Sequence, residues 1–138
     1  MPKRPEHAIE LHSTVAFYQC DPLDVAWHGR YFEWLEEART ELFASRELEV
    51  AQIKELGFRM YVVEANCRYM APLRYREPLR MVAWFSQVEP KIRVAYDIYH
   101  GETGQWCARA FTVLATTDYA GKLLPTTPDA ILERLPSR

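Results

Sequence analysis

The apolar residues of this chain change their spacing once, and that change limits the fold more than any other feature. Between residues 28 and 44, Tyr31, Phe32, Leu35, Ala38, Leu42 and Phe43 recur at intervals of three and four, while Glu33, Glu36, Glu37, Arg39 and Glu41 occupy much of the remaining surface. This is the stripe of an amphipathic helix. Trp34 widens the apolar face, so the helix is expected to be covered on more than one side. From Phe58 onward the interval is two. Phe58, Met60 and Val62 alternate in one phase, and Ala65, Cys67 and Tyr69 in the other. The slip near Val63-Glu64 predicts a β-bulge. Further strands are expected over 79–88, 92–100 and 105–117, joined by turns at Pro90-Lys91 and Gly101-Glu-Thr-Gly104.

The remaining segments fit around this frame. Ile9, Leu11, Ser13, Val15 and Phe17 alternate with more polar neighbours, which predicts a first strand over 9–18, ended by Asp21-Pro22-Leu23-Asp24. Residues 1–7 read as a loose polar lead-in. A short helix over 50–56 is expected to close on Gly57. Thr127 as N-cap and Pro128 at the first helical position open a last helix reaching Leu135. The expected order is strand, long helix, short helix, four strands in a meander, and a terminal helix. That makes a two-layer α+β domain, a long central helix packed on a five-stranded antiparallel sheet, with residues 1–138 as a single domain. One helix covers such a sheet only in part. Both phases of the later strands are apolar, so a second covering surface is expected, most simply a partner subunit.

Composition narrows the partners. Seventeen Lys and Arg against nineteen Asp and Glu leave a net charge of −2, which gives no reason to expect nucleic acid or an acidic membrane surface as a partner. No run approaches the roughly 20 apolar residues of a membrane span. The charged start Met1-Pro-Lys-Arg-Pro-Glu-His is not followed by an apolar stretch, so no secretory signal is expected. Cys20, Cys67 and Cys107 are odd in number and far apart, with no zinc-ligand spacing. A reducing, cytoplasmic location fits them best.

The chemistry is expected just before the long helix. Asp21 and Asp24 stand on a short loop there, and a helix start offers free backbone N–H groups with partial positive charge. A carboxylate beside such donors suits acyl transfer: one group supplies the attack and the other holds the oxyanion. Asp21 can equally be an ordinary turn aspartate before a proline. Asp24 is expected to serve as N-cap or first-turn acid. No GxSxG elbow, P-loop or GxGxxG fingerprint is present.

The segments Cys20-Asp21-Pro22, Val25-Ala26-Trp27-His28, Tyr31 and Glu36-x-Ala38-Arg39-Thr40-Glu41, with Tyr69-x-x-Pro72-Leu73 and Pro78-Leu79, resemble the hotdog-fold thioesterases. Within that fold the chain resembles the 4-hydroxybenzoyl-CoA thioesterase and short bacterial acyl-CoA thioesterase group, over roughly residues 9–125. The resemblance implies hydrolysis of an acyl-CoA thioester without metal or cofactor, by a homodimer or homotetramer with active sites between subunits. It makes Asp21 catalytic and gives the backbone N–H of His28 the thioester carbonyl. Where this chain has Asp24 the family usually has glycine, which leaves the loop path, the substrate range and a share of the acid role for Asp24 open.

Around these two, Tyr18, Trp27 and Tyr31 are candidates to line an acyl or aryl pocket, with plain core packing as the alternative for each. Arg74, Arg76, Lys91 and Arg93 are candidate contacts for CoA phosphates. Glu36 is expected to pair with Arg39 or a neighbouring subunit, and Glu64 to lie on a solvated edge or reach the site across a dimer. The rival functions are a thioesterase acting on acyl groups carried by acyl carrier protein, and a non-catalytic acyl-CoA binding subunit.

Overall fold

The structure, a computed structural model, describes residues 3–137. The sheet holds β1 (Ile9–Thr14), β2 (Phe58–Tyr69), β3 (Pro78–Gln87), β4 (Ile92–His100) and β5 (Trp106–Asp118), all antiparallel, in the order β1-β3-β4-β5-β2. The 14-residue helix α1 (Tyr31–Ala44) packs on one face, with short helices α2 (Val50–Glu55) and α3 (Asp129–Leu132) at its margins. Tyr31, Trp34, Leu35, Ala38, Leu42 and Phe43 are the buried residues of α1. They meet the inward side chains Leu79, Met81, Ala83 and Phe85 of β3, and the Phe43 and Phe85 rings lie 5.3 Å apart. Each large aliphatic or aromatic side chain removed from water here contributes about 1.5–3 kcal/mol, which fixes α1 over β1 and β3, while α2 covers part of the inner side of β2, where Phe58, Met60 and Cys67 are only half-buried.

The expected bulge is present: the β2–β5 register shifts between Val62 and Glu64. The short helix also closes as expected, with Gly57 in the left-handed region at φ 95°.

Other expectations change. The four later strands are not one meander, because β2 pairs with β5 at the far edge of the sheet. After Tyr69 the N–H groups of Met70 and Ala71 both donate to Cys107 O, which ends the ladder, and residues 70–77 cross the end of the sheet to reach β3. The first strand stops at Thr14 rather than continuing to Tyr18. Val15 exchanges hydrogen bonds with that crossing segment (to Glu77 O, and from Arg76 N, both 3.0 Å), and Phe17–Gln19 winds into a 3-10 turn. Phe32 lies outside the buried stripe at 38% exposure, while Trp34, at 2%, is inside it. Thr127 does not cap α3, whose N-cap is Pro128. Its buried hydroxyl donates to Val88 O at 2.6 Å and ties the terminal segment to the β3–β4 connection. The lead-in is not loose where it is described. The Arg4 guanidinium pairs with Asp97 and lies over the Trp84 ring, and His7 Nε2 accepts the Phe85 N–H. Met1 and Pro2, also part of that lead-in, fall outside the described residues.

Candidate active site

Residues 20–26 form a small hairpin of their own. Cys20 and Ala26 bridge, Asp21 N–H donates to Val25 O at 2.9 Å, and Asp24 N–H donates to Asp21 O at 3.0 Å. This is a tight turn followed by one residue of left-handed backbone: Asp24 has φ 65°. Glycine takes that conformation without penalty, and aspartate is among the few other residues that tolerate it. An aspartate at this position is therefore compatible with the turn. The geometry also corrects the role of Asp24, which is exposed at the turn and caps nothing. The first helical turn, a 3-10 turn at His28–Arg30, has Trp27 as its N-cap and no side-chain cap.

Asp21 is half-buried. Its Oδ1 accepts the Leu23 N–H at 2.8 Å, the usual bond of a turn aspartate. No described residue hydrogen-bonds its other carboxylate oxygen. The hairpin is held from both sides: Trp27 N–H donates to Gln19 O at 2.8 Å and Ala26 N–H donates to Leu73 O at 2.7 Å.

The His28 and Gly29 N–H groups have no acceptor among the described residues, as the first donors of a helix must when no side chain caps them. The His28 carbonyl, in contrast, accepts twice, from the Tyr31 N–H and from the Tyr69 hydroxyl at 2.7 Å. The exposed His28 ring lies 4.9 Å from Trp27 and 6.1 Å from Tyr69. Gly29 lets the Trp27 ring lie against the backbone here, since a Cβ there would fall 2.2 Å from that ring. Trp27 itself is 47% exposed beside the helix start.

The remaining candidates divide. Tyr31 is 3% exposed, with its ring edge-on to Trp34 and to Tyr69, and burial pushes its phenol far above the ordinary value. In the single chain it is core. Tyr18 is exposed under the Arg30 guanidinium and borders a groove of about 650 Å³ between β1 and α1. Glu33, Glu36, Glu37 and Glu41 line that groove, which makes it a poor berth for phosphates. Glu36 forms no ion pair with Arg39 among the described residues, because Arg39 turns inward to the Tyr96 phenol.

Arg74 and Arg76 are exposed on the crossing segment that clasps the Asp21 hairpin, and Phe17 and Tyr75 meet edge-to-face at 5.4 Å where the two loops touch. Lys91 and Arg93 lie beyond the other end of the ten-residue β3, roughly 30 Å of strand away. Arg93 lies 4.1 Å over Phe111 on the face opposite α1 and lines a groove of about 550 Å³ with Arg4, Arg109 and Trp106. One chain therefore does not bring the two cation pairs together.

Two residues escaped the sequence reading. Gln19 is 6% exposed; its Oε1 accepts the Ala16 N–H at 2.8 Å, and its Nε2 donates to Glu33 at 3.3 Å. A glutamine three residues after a turn start was the available signal. Tyr69 was visible as part of a motif, but its bond to His28 spans 41 positions. Burial first, and then Cys67 beside it, push the Tyr69 phenol up to about 12, so it remains a donor at any ordinary pH. Among the described residues no three His, Cys, Asp or Glu converge as a metal site, and no helix is long and apolar enough to cross a membrane.

An antiparallel sheet wrapped on one central helix, with a carboxylate hairpin at the helix start, is the hotdog architecture. Residues 15–135 match the thioesterase-like superfamily, and the chain belongs to it, a thioester hydrolase by class. A Synechocystis protein provisionally described as an esterase is 29% identical over 133 residues, covering 94% of this chain and 80% of the relative. Two solved structures share the fold. A 1,4-dihydroxy-2-naphthoyl-CoA thioesterase from Synechocystis gives a TM-score of 0.81 at 21% identity, over 93% of this chain and 95% of that one. A 4-hydroxybenzoyl-CoA thioesterase variant in complex with 4-hydroxybenzoyl-CoA gives 0.82 at 17% identity, over 94% and 99%.

Proposed function

We propose that this chain is an acyl-CoA thioesterase in which Asp21 supplies the attack and the His28 N–H stabilises the oxyanion. The observation that carries the proposal is the His28 N–H, without an acceptor among the described residues, in the 3-10 turn that leads into α1, one short hairpin away from a carboxylate oxygen with no described partner. Water adds to the thioester carbonyl, negative charge gathers on its oxygen, the C–S bond breaks, and the CoA thiolate leaves and takes up a proton. Asp21 either removes the proton from the attacking water or attacks first and forms a mixed anhydride that water then opens.

Related thioesterase folds carry aryl-CoA substrates in their names, and the exposed rings of Trp27 and Tyr18 beside this site fit an aryl or apolar acyl group. The exposed Arg74 and Arg76 fit the CoA phosphates. Lys91 and Arg93 fit that role only if a partner subunit supplies them.

A second copy is expected along β2. That strand is open at its outer edge for twelve residues and exposes Tyr61, Val62, Val63 and Tyr69. Pairing along it makes a homodimer, and back-to-back pairing of dimers makes a homotetramer. The free thiols Cys20, Cys67 and Cys107 fit a cytoplasmic setting, and residues 1–138 act as one domain.

The test is thiol release from a panel of short, long and aromatic acyl-CoAs by wild type, Asp21→Asn and Asp24→Asn. The expected result is a fall of at least about a hundredfold in kcat for Asp21→Asn and less than about fivefold for Asp24→Asn, which lies outside any capping or bonding role. Hydrolysis of acyl-acyl carrier protein but of no acyl-CoA would move the carrier. Tight acyl-CoA binding without turnover would leave a binding subunit. A single turnover in ¹⁸O-water that leaves the label in Asp21 establishes the mixed anhydride opened at the aspartyl carbonyl, since the general-base route cannot label the aspartate.

A further inference from the structure

Tyr69 ends β2, while His28 begins the helical segment. The Tyr69 hydroxyl donates to the His28 carbonyl at 2.7 Å, its ring stands edge-on to Tyr31 at 4.8 Å, and it lies 6.1 Å from the His28 ring. The His28 carbonyl needs no second donor, since the Tyr31 N–H already satisfies it. The bond does have a geometric effect. The His28 C=O and the Gly29 N–H belong to one planar peptide unit, so a donor fixed on the carbonyl fixes the direction of the N–H. In a helical first turn that N–H points out of the helix start, beside the His28 N–H. A hydrogen bond received by the carbonyl also polarises the amide and strengthens its N–H as a donor.

We infer that Tyr69 is a positioning residue for the oxyanion. By holding the His28 carbonyl it aims the 28–29 peptide, so that the Gly29 N–H joins the His28 N–H at the thioester carbonyl oxygen. This inference rests on the acyl-transfer reading of the Asp21 loop and adds to it a second donor and the group that aims it. The helical bond from the Tyr31 N–H is the other hydrogen bond on this peptide's carbonyl. Gly29 has no side chain, and the Trp27 ring fills the space that a Cβ would take. The hydroxyl reaches the loop from β2, the strand with the open edge, so the donor pair is braced by the part of the sheet that α1 does not cover.

Tyr69→Phe is the experiment, because it keeps the ring contacts with Tyr31 and His28 and removes only the hydroxyl. The expected result is a fall in kcat of about ten- to a hundredfold with KM within about twofold, as for a misaimed group that acts in the transition state. A packing role alone would lower thermal stability and leave the kcat-to-KM split unmoved. The second readout is infrared. With carbonyl-labelled acyl-CoA bound to Asp21→Asn, the thioester carbonyl band is expected to lie below its free position, and adding Tyr69→Phe is expected to return it at least halfway. An unchanged kcat and an unchanged band in Tyr69→Phe, with Asp21→Asn inactive, overturn the positioning role and leave the thioesterase reading standing. Full activity in Asp21→Asn, or no hydrolysis by wild type, overturns both.

Discussion

The sheet has two free edges, built in opposite ways. β1 is six residues long and alternates half-buried with exposed positions, and its outward residues Glu10 and His12 are polar. Arg80 on β3 reaches Glu10 at 2.9 Å. β2 is twice as long and exposed over most of both sides, and Tyr61, Val62 and Val63 are all exposed on it. Native sheets blunt a terminal edge with short strands and charge. β1 is short, whereas β2 is long and, beside the charged Arg59, Glu64 and Arg68, carries the exposed apolar run Tyr61-Val62-Val63. The contrast supports β2, rather than β1, as the edge of the proposed subunit pairing. It also places the continuing edge next to the chemistry, because the last residue of β2 is Tyr69.

The sharpest way to break the comparison is to charge the β2 edge. Val62→Asp with Val63→Asp is expected to weaken self-association by about a thousandfold, some 4 kcal/mol. Sedimentation then gives the mass of one chain where wild type gives two or four. Wild-type mass in the double variant would place the interface elsewhere.

A middle-sized effect belongs to the segment that carries the chain from the β2 edge to β3, beside β1. Glu77, on the crossing segment, holds His100 Nε2 at 3.0 Å and the Arg74 N–H at 2.6 Å, while His100 Nδ1 accepts the Glu102 and Thr103 N–H groups. Burial alone would raise the Glu77 carboxyl, but the bonds from His100 and Arg74 N outweigh it and hold the carboxyl below its ordinary value of 4.5. The folded chain thus binds this proton less tightly than the unfolded chain. The stabilisation is full above about pH 4.5 and is lost as pH falls through the depressed folded value. In Glu77→Gln the amide NH₂ would face the protonated Nε2, a donor against a donor. A loss of about 1.5–3 kcal/mol at neutral pH is expected, and denaturant melts should show a shallower decline into acid than wild type.

The smallest effect belongs to the closed edge. Glu10→Ala removes the exposed pairing with Arg80 and is expected to cost within about 0.5 kcal/mol, with mass and hydrolysis unchanged. A change of mass in this variant would mean that β1 is also an interface.

What could be read from the sequence follows from which forces are local. The α1 stripe and the slip at Val63-Glu64 are periodic signals, and they appear where the pattern put them. Gly57 is a local backbone demand and is equally legible. The position of β2 beyond β5 was not, because alternation says that a strand pairs but not with which neighbour. Phe32 and Trp34 both fit a helix pattern, and only the placement of α1 over β1 and β3 decides which of them is buried. Thr127 and Asp24 carried capping chemistry in the sequence. Tertiary acceptors claimed the first, at Val88 O, and a left-handed turn claimed the second. At the site, the Asp21 hairpin and the helix start were legible as a motif, whereas the bond from Tyr69 depends on a crossing that brings residues 41 positions apart together.

The stacking of Trp27 over Gly29 has an optical consequence. The chain has four tryptophans. Trp34 is sealed under α1, and Trp84 and Trp106 lie on the far face of the sheet beneath Arg4 and beside Arg109. Only Trp27 stands at the mouth of the site, half in water and against an imidazole. Its emission is therefore a built-in gauge of occupancy, with no dye or label to attach: a ligand that displaces water from the helix start should shift the emission to the blue, and Trp27→Phe should silence the signal.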